Sequence, residues 1–251
     1  MAVRAGAFAL GLAIAGNSAH AQRVVVSHDE WFTGGGFFNS NEQRFVSNAL
    51  TWFGLTGSGN ILLYSSNGFL VNTPFENYLG SLGYAVTVNS APATFAGYSA
   101  VFSESVTNLN GSGLAAYALG GGNVFYIGGT GVGGAAGEAA YSNTFLNAVG
   151  LSFAPAYNGL GTVNTSGFSA QGPFGPALFT GVASVFSNSG NDISAPGAAG
   201  WTTQVFSDQS GNGVYAAAAI TTTATPEPAS RALLATGLLA LVAMVRMRRR
   251  V

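Results

Sequence analysis

His28, Asp29 and Glu30 stand in a row directly after the apolar run 23–27, and Glu104 follows a second such run at 98–103. An imidazole and carboxylates at chain positions of this kind are the groups that move protons to and from a bound substrate. Carboxylate oxygens such as those of Asp29 and Glu104, joined by backbone carbonyls, are also the ligand type that a hard cation such as Ca²⁺ takes. Gly129 and Thr130, in the turn Gly128-Gly129-Thr130-Gly131, add a close-approaching backbone and a hydroxyl. His28, Asp29, Glu104, Gly129 and Thr130 are therefore the candidate ligand pocket, for a sugar hydroxyl or a cation. The same acids would equally serve as solvated loop groups or at helix starts, where the helix dipole favours them. No catalytic set, metal ligand or cofactor is assigned.

Other chemistries are excluded more firmly. The chain has no cysteine, so it offers no thiol nucleophile or thiolate ligand and no disulfide. It has no lysine, which removes the phosphate-binding G-x-x-x-x-G-K-[ST] loop. The glycine-rich stretch from Gly128 follows the fifth apolar run rather than the first, where a dinucleotide-binding G-x-G-x-x-G turn would stand. No G-x-S-x-G marks a nucleophile elbow. His28 is the sole histidine once His20 leaves with the leader described below. Between the two ends only Arg23 and Arg44 stand against eight acidic residues, so a nucleic-acid partner, which needs a basic face, is not expected.

The elements that must position these residues alternate. Runs at 23–27, 60–65, 84–88, 98–103 and 123–127 read as strands, and 41–53, 73–82, 109–119 and 138–149 as helices. Thr73 is the expected cap of the second helix, with Pro74 in its first turn. Strands alternating with helices predict an α/β fold with a doubly wound, mostly parallel sheet and helices on both faces. The strand runs are continuously apolar, as in a sheet buried on both sides. Ligands of such sheets bind beyond the carboxyl ends of the strands, which is where the candidate pocket falls. Residues 151–224 are richer in Gly, Ser, Asn and Pro and read as a β-rich extension, part of it pairing at the sheet edge. Charged residues make up 7% of the 251-residue chain, against roughly 25% in an ordinary domain, so Ser, Thr, Asn and Gln must supply the polar surface.

The two ends read as addresses. Arg4, the apolar stretch 5–15 and Ala19-His20-Ala21 have the order of a secretory signal, with cleavage after Ala21 and a domain beginning at Gln22. At the other end Pro226-Glu227-Pro228 precedes an uncharged apolar run at 232–245, read as a short transmembrane helix, and then Arg246, Arg248, Arg249 and Arg250. The arginines would stay on the cytoplasmic side and leave the domain outside. Residues 225–251 resemble the PEP-CTERM sorting signal of Gram-negative bacteria; Arg231 in the spacer and the trailing Val251 are small departures. The resemblance implies processing near Pro-Glu-Pro by an exosortase. It also implies export through the secretion translocon and signal peptidase, a transient stay in the inner membrane, and a final place in the cell envelope or outside the cell. Proteins of that class are tied to exopolysaccharide and biofilm.

The domain at 22–224 resembles, by order of elements, the class I glutamine amidotransferase-like (flavodoxin-like) superfamily. The residues behind this are Val24-Val25-Val26 leading to His28-Asp29, the stretch Asn123 to Gly129, and Pro176 to Val182. That superfamily holds a nucleophilic cysteine in a strand-turn-helix elbow, which here reads Gly128-Gly129-Thr130-Gly131, so amidotransferase chemistry is excluded. The expectation is a non-catalytic binding or structural protein of the envelope, with exopolysaccharide as a partner. The alternative is a carbohydrate-active or other hydrolase using His28, Asp29 and Glu104.

Overall fold

The computed structural model describes residues 22–159 and 161–220. The secretory leader and the sorting tail, with the helix expected at 232–245, lie outside the described residues. Among the described residues no helix is long and apolar enough to cross a membrane.

The first part of the chain alternates as expected: β1 (Arg23–Ser27), α1 (Ser40–Trp52), β2 (Asn60–Tyr64), α2 (Thr73–Ser81), β3 (Ala85–Val88), β4 (Ala100–Glu104), α3 (Gly111–Leu119), β5 (Asn123–Ile127) and α4 (Gly134–Leu146). Asparagine starts three of these helices. Asn39 and Glu42 form a reciprocal capping box on α1. The Asn72 side chain accepts from the Phe75 amide at 3.0 Å, so Asn72 caps α2 and Thr73 is already inside it. Asn110 does the same for α3 through the Gly113 amide. The fourth helix begins earlier than the expected 138, because Gly133 in the left-handed region (φ 76°) turns the chain into it.

Residues 151–220 supply β6 (Ser152–Gly159), β7 (Thr162–Asn164), α5 (Gly175–Phe179), β8 (Ser184–Phe186), β9 (Ser189–Ser194), β10 (Trp201–Ser207) and β11 (Gly213–Ile220). The extension is β-rich, but Ala177-Leu178-Phe179 belongs to a short helix that opens with Gly175 and Pro176. Two of its strands enter the main sheet, whose order is β10-β11-β1-β5-β4-β2-β3. Strands β1 to β5 pair in parallel, and β10 and β11 run antiparallel. The remaining strands form two small antiparallel pairs, β6 with β9 and β7 with β8. A flavodoxin order is 2-1-3-4-5. Here β3-β2-β4-β5 follows it if β2 is counted first, and the fifth place is taken by β1.

Alternate side chains of each strand feed two cores. Val25, Ile61, Leu63, Phe102 and Phe125 pack with Phe45 of α1, Phe75 of α2 and Phe179 of α5. Val24, Val26, Leu62, Val101 and Tyr126 pack with Leu114 of α3 and Phe145 of α4. The continuous apolar runs are thus explained for β1, β2, β4 and β5, which are covered on both faces. The edge strand β3 departs from that pattern: it is largely exposed, with Val88 at 44%.

Phe45 is fully buried and makes ring contacts with Phe32, Phe125, Phe179 and Tyr215. Phe45→Ala is expected to lower unfolding free energy by about 3–5 kcal/mol in urea titration. Leu119→Ala, at a half-exposed position, should change it by about 0.5 kcal/mol or less. Similar costs for both would contradict the assignment of Phe45 to a core.

Candidate functional site

The parallel strands deliver their carboxyl ends to one edge. Register pairs Ser27 with Ile127, Ile127 with Glu104 and Ser103 with Tyr64, so residues 28–30, 65–67, 104–105 and 128–130 leave the sheet side by side. Helices α1 and α2 after β1 and β2 lie on one face, and α3 and α4 after β4 and β5 on the other. The connections therefore part toward opposite faces between β1 and β5 and again between β2 and β4, the geometry that opens a crevice in such sheets. The backbones of Ser27 and Glu104 are two strand spacings apart, about 10 Å.

In this structure the crevice is closed. His28 and Glu104 are fully buried, and Asp29 and Glu30 are at most 4% exposed. The turn between β8 and β9 and the start of β9 lie across the strand ends. The Asn188 amide donates to Asp29 Oδ2, and the Glu30 amide donates to Asp29 Oδ1 at 2.9 Å. Gly129 has φ 72°, and a Cβ there would collide with Asp29 and with the Ser189 carbonyl, so glycine is what permits this approach. Gly190 is pressed against the His28 carbonyl in the same way.

The candidate residues divide into two groups. Asp29, Glu30 and Glu104 belong to an acidic cluster that also takes in Glu138 of α4. Ser65 donates to Glu104 Oε2 and Asn67 Nδ2 to Glu30 Oε2. Glu138 Oε1 accepts from the Thr130 amide at 2.5 Å, and Oε2 accepts from the Tyr157 hydroxyl at 2.7 Å. Thr130 Oγ1 reaches both Glu138 and the Ser105 carbonyl, the latter at 2.6 Å. Glu104 Oε1 has no hydrogen-bond partner. Beside the cluster, Tyr126, Ser105 and Ser142 close a buried ring of hydroxyls at 2.6–3.3 Å. His28 faces the extension instead. Its Nδ1 lies 3.1 Å from Asn158 Oδ1 and its Nε2 2.6 Å from Ser187 Oγ.

Burial sets the protonation of both groups. It raises Glu30 to about 9, with Glu104, Asp29 and Glu138 adding repulsion and Asn67 opposing. It raises Glu104 to about 8, opposed by the Ser65 hydroxyl and the Leu70 amide and reinforced by Glu138. It raises Asp29 to about 7, against donors that include the Asn188, Trp31 and Glu30 amides and the Ser187 side chain. It lowers His28 to about 4, opposed by Asn158, the Gly190 backbone and Asp208. At neutral pH His28 is therefore uncharged, and Glu30 and Glu104 hold protons.

Among the described residues no group of three or more His, Cys, Asp or Glu side chains is arranged to hold a metal ion, so the calcium reading gains no support. Residue types alone flagged His28, Asp29, Glu104, Gly129 and Thr130. They missed Ser187 and Asn158 as partners of His28 and Glu138 as a member of the acidic cluster; Glu30, named beside His28 and Asp29 from its position, stands outside the five-residue pocket. Glu138 carried one signal: it is the single charged residue of its helix. Comparison with protein-family models, curated proteins and solved structures finds no match to this chain.

Carboxyls with folded pKa values above their ordinary ones bind more protons when folded than when unfolded, so they withdraw stability as pH rises. His28, with a lowered value, opposes them only between about 4 and 6.5. From pH 6.5 to 9 the carboxyls act alone, and the urea midpoint should fall across that range. Glu104→Gln should flatten the fall and leave the midpoint at pH 5 nearly unchanged. A midpoint that rises between pH 6.5 and 9 would sink this account.

Proposed function

We propose that this chain is an exported protein of a Gram-negative cell envelope, held briefly in the inner membrane by its C-terminal segment and released by an exosortase-type cut near Pro226-Glu227-Pro228. The order of that motif, the apolar run at 232–245 and the closing arginines carries the reading. Its partners are the secretion translocon, signal peptidase and exosortase, and its destination is the envelope surface or the medium. An amidotransferase-like ancestry without the cysteine elbow remains part of the same proposal.

The placement of the folded part's ends supports it. The Ile220 amide donates to the Gln22 carbonyl at 3.1 Å, so the residue expected to follow leader cleavage and the residue leading to the tail emerge together. Because β11 is antiparallel to β1, both emerge at the amino-terminal edge of the parallel strands. A tail leaving there would hold the domain with its carboxyl edge, and the closed crevice, away from the membrane.

The acidic cluster fits a binding or structural role, linked to exopolysaccharide or biofilm, better than turnover. Its carboxyls are sealed from solvent, and burial keeps Glu30 and Glu104 protonated at neutral pH. A hydrolase built on His28, Asp29 and Glu104 acting together gains less support.

Deletion of 226–251 should shift the protein from the membrane fraction to the periplasm or medium. The mature wild-type protein, analysed by mass spectrometry, should end near residue 226. A mature protein that still ends at Val251 would refute the processing step.

A further inference from the structure

The geometry points to a latent acyl-transfer centre made of Ser187 as nucleophile, His28 as general base and Asn158 as the residue that positions the imidazole, acting on small uncharged esters. This goes beyond delivery of the chain and does not depend on it.

The contacts have the order such a centre requires: a hydroxyl within hydrogen-bond reach of a base, and a third group behind the base. Ser187 Oγ lies 2.6 Å from His28 Nε2, and Asn158 Oδ1 lies 3.1 Å from Nδ1. The tautomer follows from the surroundings. Asn158 Oδ1 can only accept, and the Gly190 backbone, which also favours a protonated ring, sits on the Nδ1 side. The single proton of a neutral imidazole therefore resides on Nδ1. Nε2 is left with a free electron pair, and the Ser187 hydroxyl donates to it. Asp29 is a second acceptor near the same hydroxyl.

The proposed access is past one backbone hydrogen bond. The Ser187 amide donates to the Gly161 carbonyl at 3.2 Å, beyond the end of the three-residue β7–β8 ladder. Gly161 also borders a cavity of about 250 Å³, together with 162–164 and 208–210. Ser187 is fully buried, and displacing Gly161, which both borders this cavity and pairs with Ser187, is the opening the proposal requires. It would also free the Ser187 amide, which could then donate to the oxyanion of a tetrahedral intermediate.

The steps balance without a cofactor. Ser187 Oγ bonds to the ester carbon while its proton passes to His28 Nε2. The carbon–oxygen bond to the alcohol breaks, and the departing oxygen takes that proton. Water then attacks the acyl-serine, its proton again going to Nε2. The acid leaves and Ser187 recovers its hydrogen. The substrate class follows from cavity size and charge. The space admits a group about the size of an acetyl ester, and the nearby charged groups are Asp29 and Asp208, which would repel an anionic substrate.

The full-length chain, treated with a fluorophosphonate and digested, should carry one adduct, on Ser187. Hydrolysis of p-nitrophenyl acetate should fall about 100-fold or more in Ser187→Ala, the scale of lost general-base catalysis. Asn158→Asp should keep activity and move its pH profile upward, because a carboxylate behind Nδ1 favours the charged ring; a merely structural asparagine would leave the profile in place. Because the chain has no cysteine, Ser187→Cys introduces a lone reporter, and iodoacetamide should alkylate it with an apparent pKa below the ordinary thiol value of about 8.5. An adduct absent or on another residue, unchanged hydrolysis in a folded Ser187→Ala, or an ordinary thiol pKa in Ser187→Cys would each overturn the proposal.

Discussion

The antiparallel pairing of β11 with β1 is the contact on which the rest of the molecule depends. Five residue pairs, from Arg23 with Ala219 to Ser27 with Tyr215, lock the two strands, and the His28 amide extends the ladder to the Val214 carbonyl. Without it β1 would be an open edge next to β5. With it β1 is interior, and the chain that arrives at β11 is brought over the strand ends. Glu42 shows how the pieces are tied. It completes the cap of α1 with one oxygen and accepts from the Phe186 amide of β8 with the other, at 2.9 Å. Closure of the crevice is thus a consequence of sheet pairing and helix capping together.

Closure imposes an electrostatic problem that this composition cannot solve with counter-ions. An ionised carboxylate taken out of water costs several kcal/mol unless it is paired. The folded domain has only two arginines; Arg23 donates to the Trp52 carbonyl at the far end of β1, and Arg44 lies on α1. Protonation is the remaining solution for Glu30 and Glu104. Ser65 then donates to Glu104 and Asn67 to Glu30, while Thr130 and Tyr157 donate to the two oxygens of Glu138. A charge-poor surface and a protonated interior are two results of the same shortage of cations.

Local features of this fold could be read from sequence, and distant ones could not. Continuous apolar runs located β1, β2, β4 and β5, because strands buried on both faces leave no other pattern. The start of α4 was missed since Gly134-Ala135-Ala136-Gly137 has no apolar periodicity, and α5 since Gly-Pro and three apolar residues fit a strand end equally well. Strand order was illegible because nothing in the α1 segment records that it crosses two strand positions before β2. The five candidate residues did fall at one edge, since each follows a parallel strand. Their partners stayed hidden: Asn158 and Ser187 lie 130 and 159 residues from His28, and each is one polar residue among many in a Ser- and Asn-rich extension.

The seal that hides His28 also governs its strength as a base. Buried, it is held uncharged near 4, with its proton fixed on the side of Asn158 and Gly190. A base so weak draws little on a serine proton. The opening proposed at Gly161 has to admit water to this pocket along with substrate, and the main cause of the lowered pKa is burial away from water. Hydration would carry the imidazole back toward its ordinary value of 6.5 while Asn158 kept its orientation. Opening would therefore expose the hydroxyl and strengthen its base in one step, so the closed form is unreactive for a physical reason as well as a steric one.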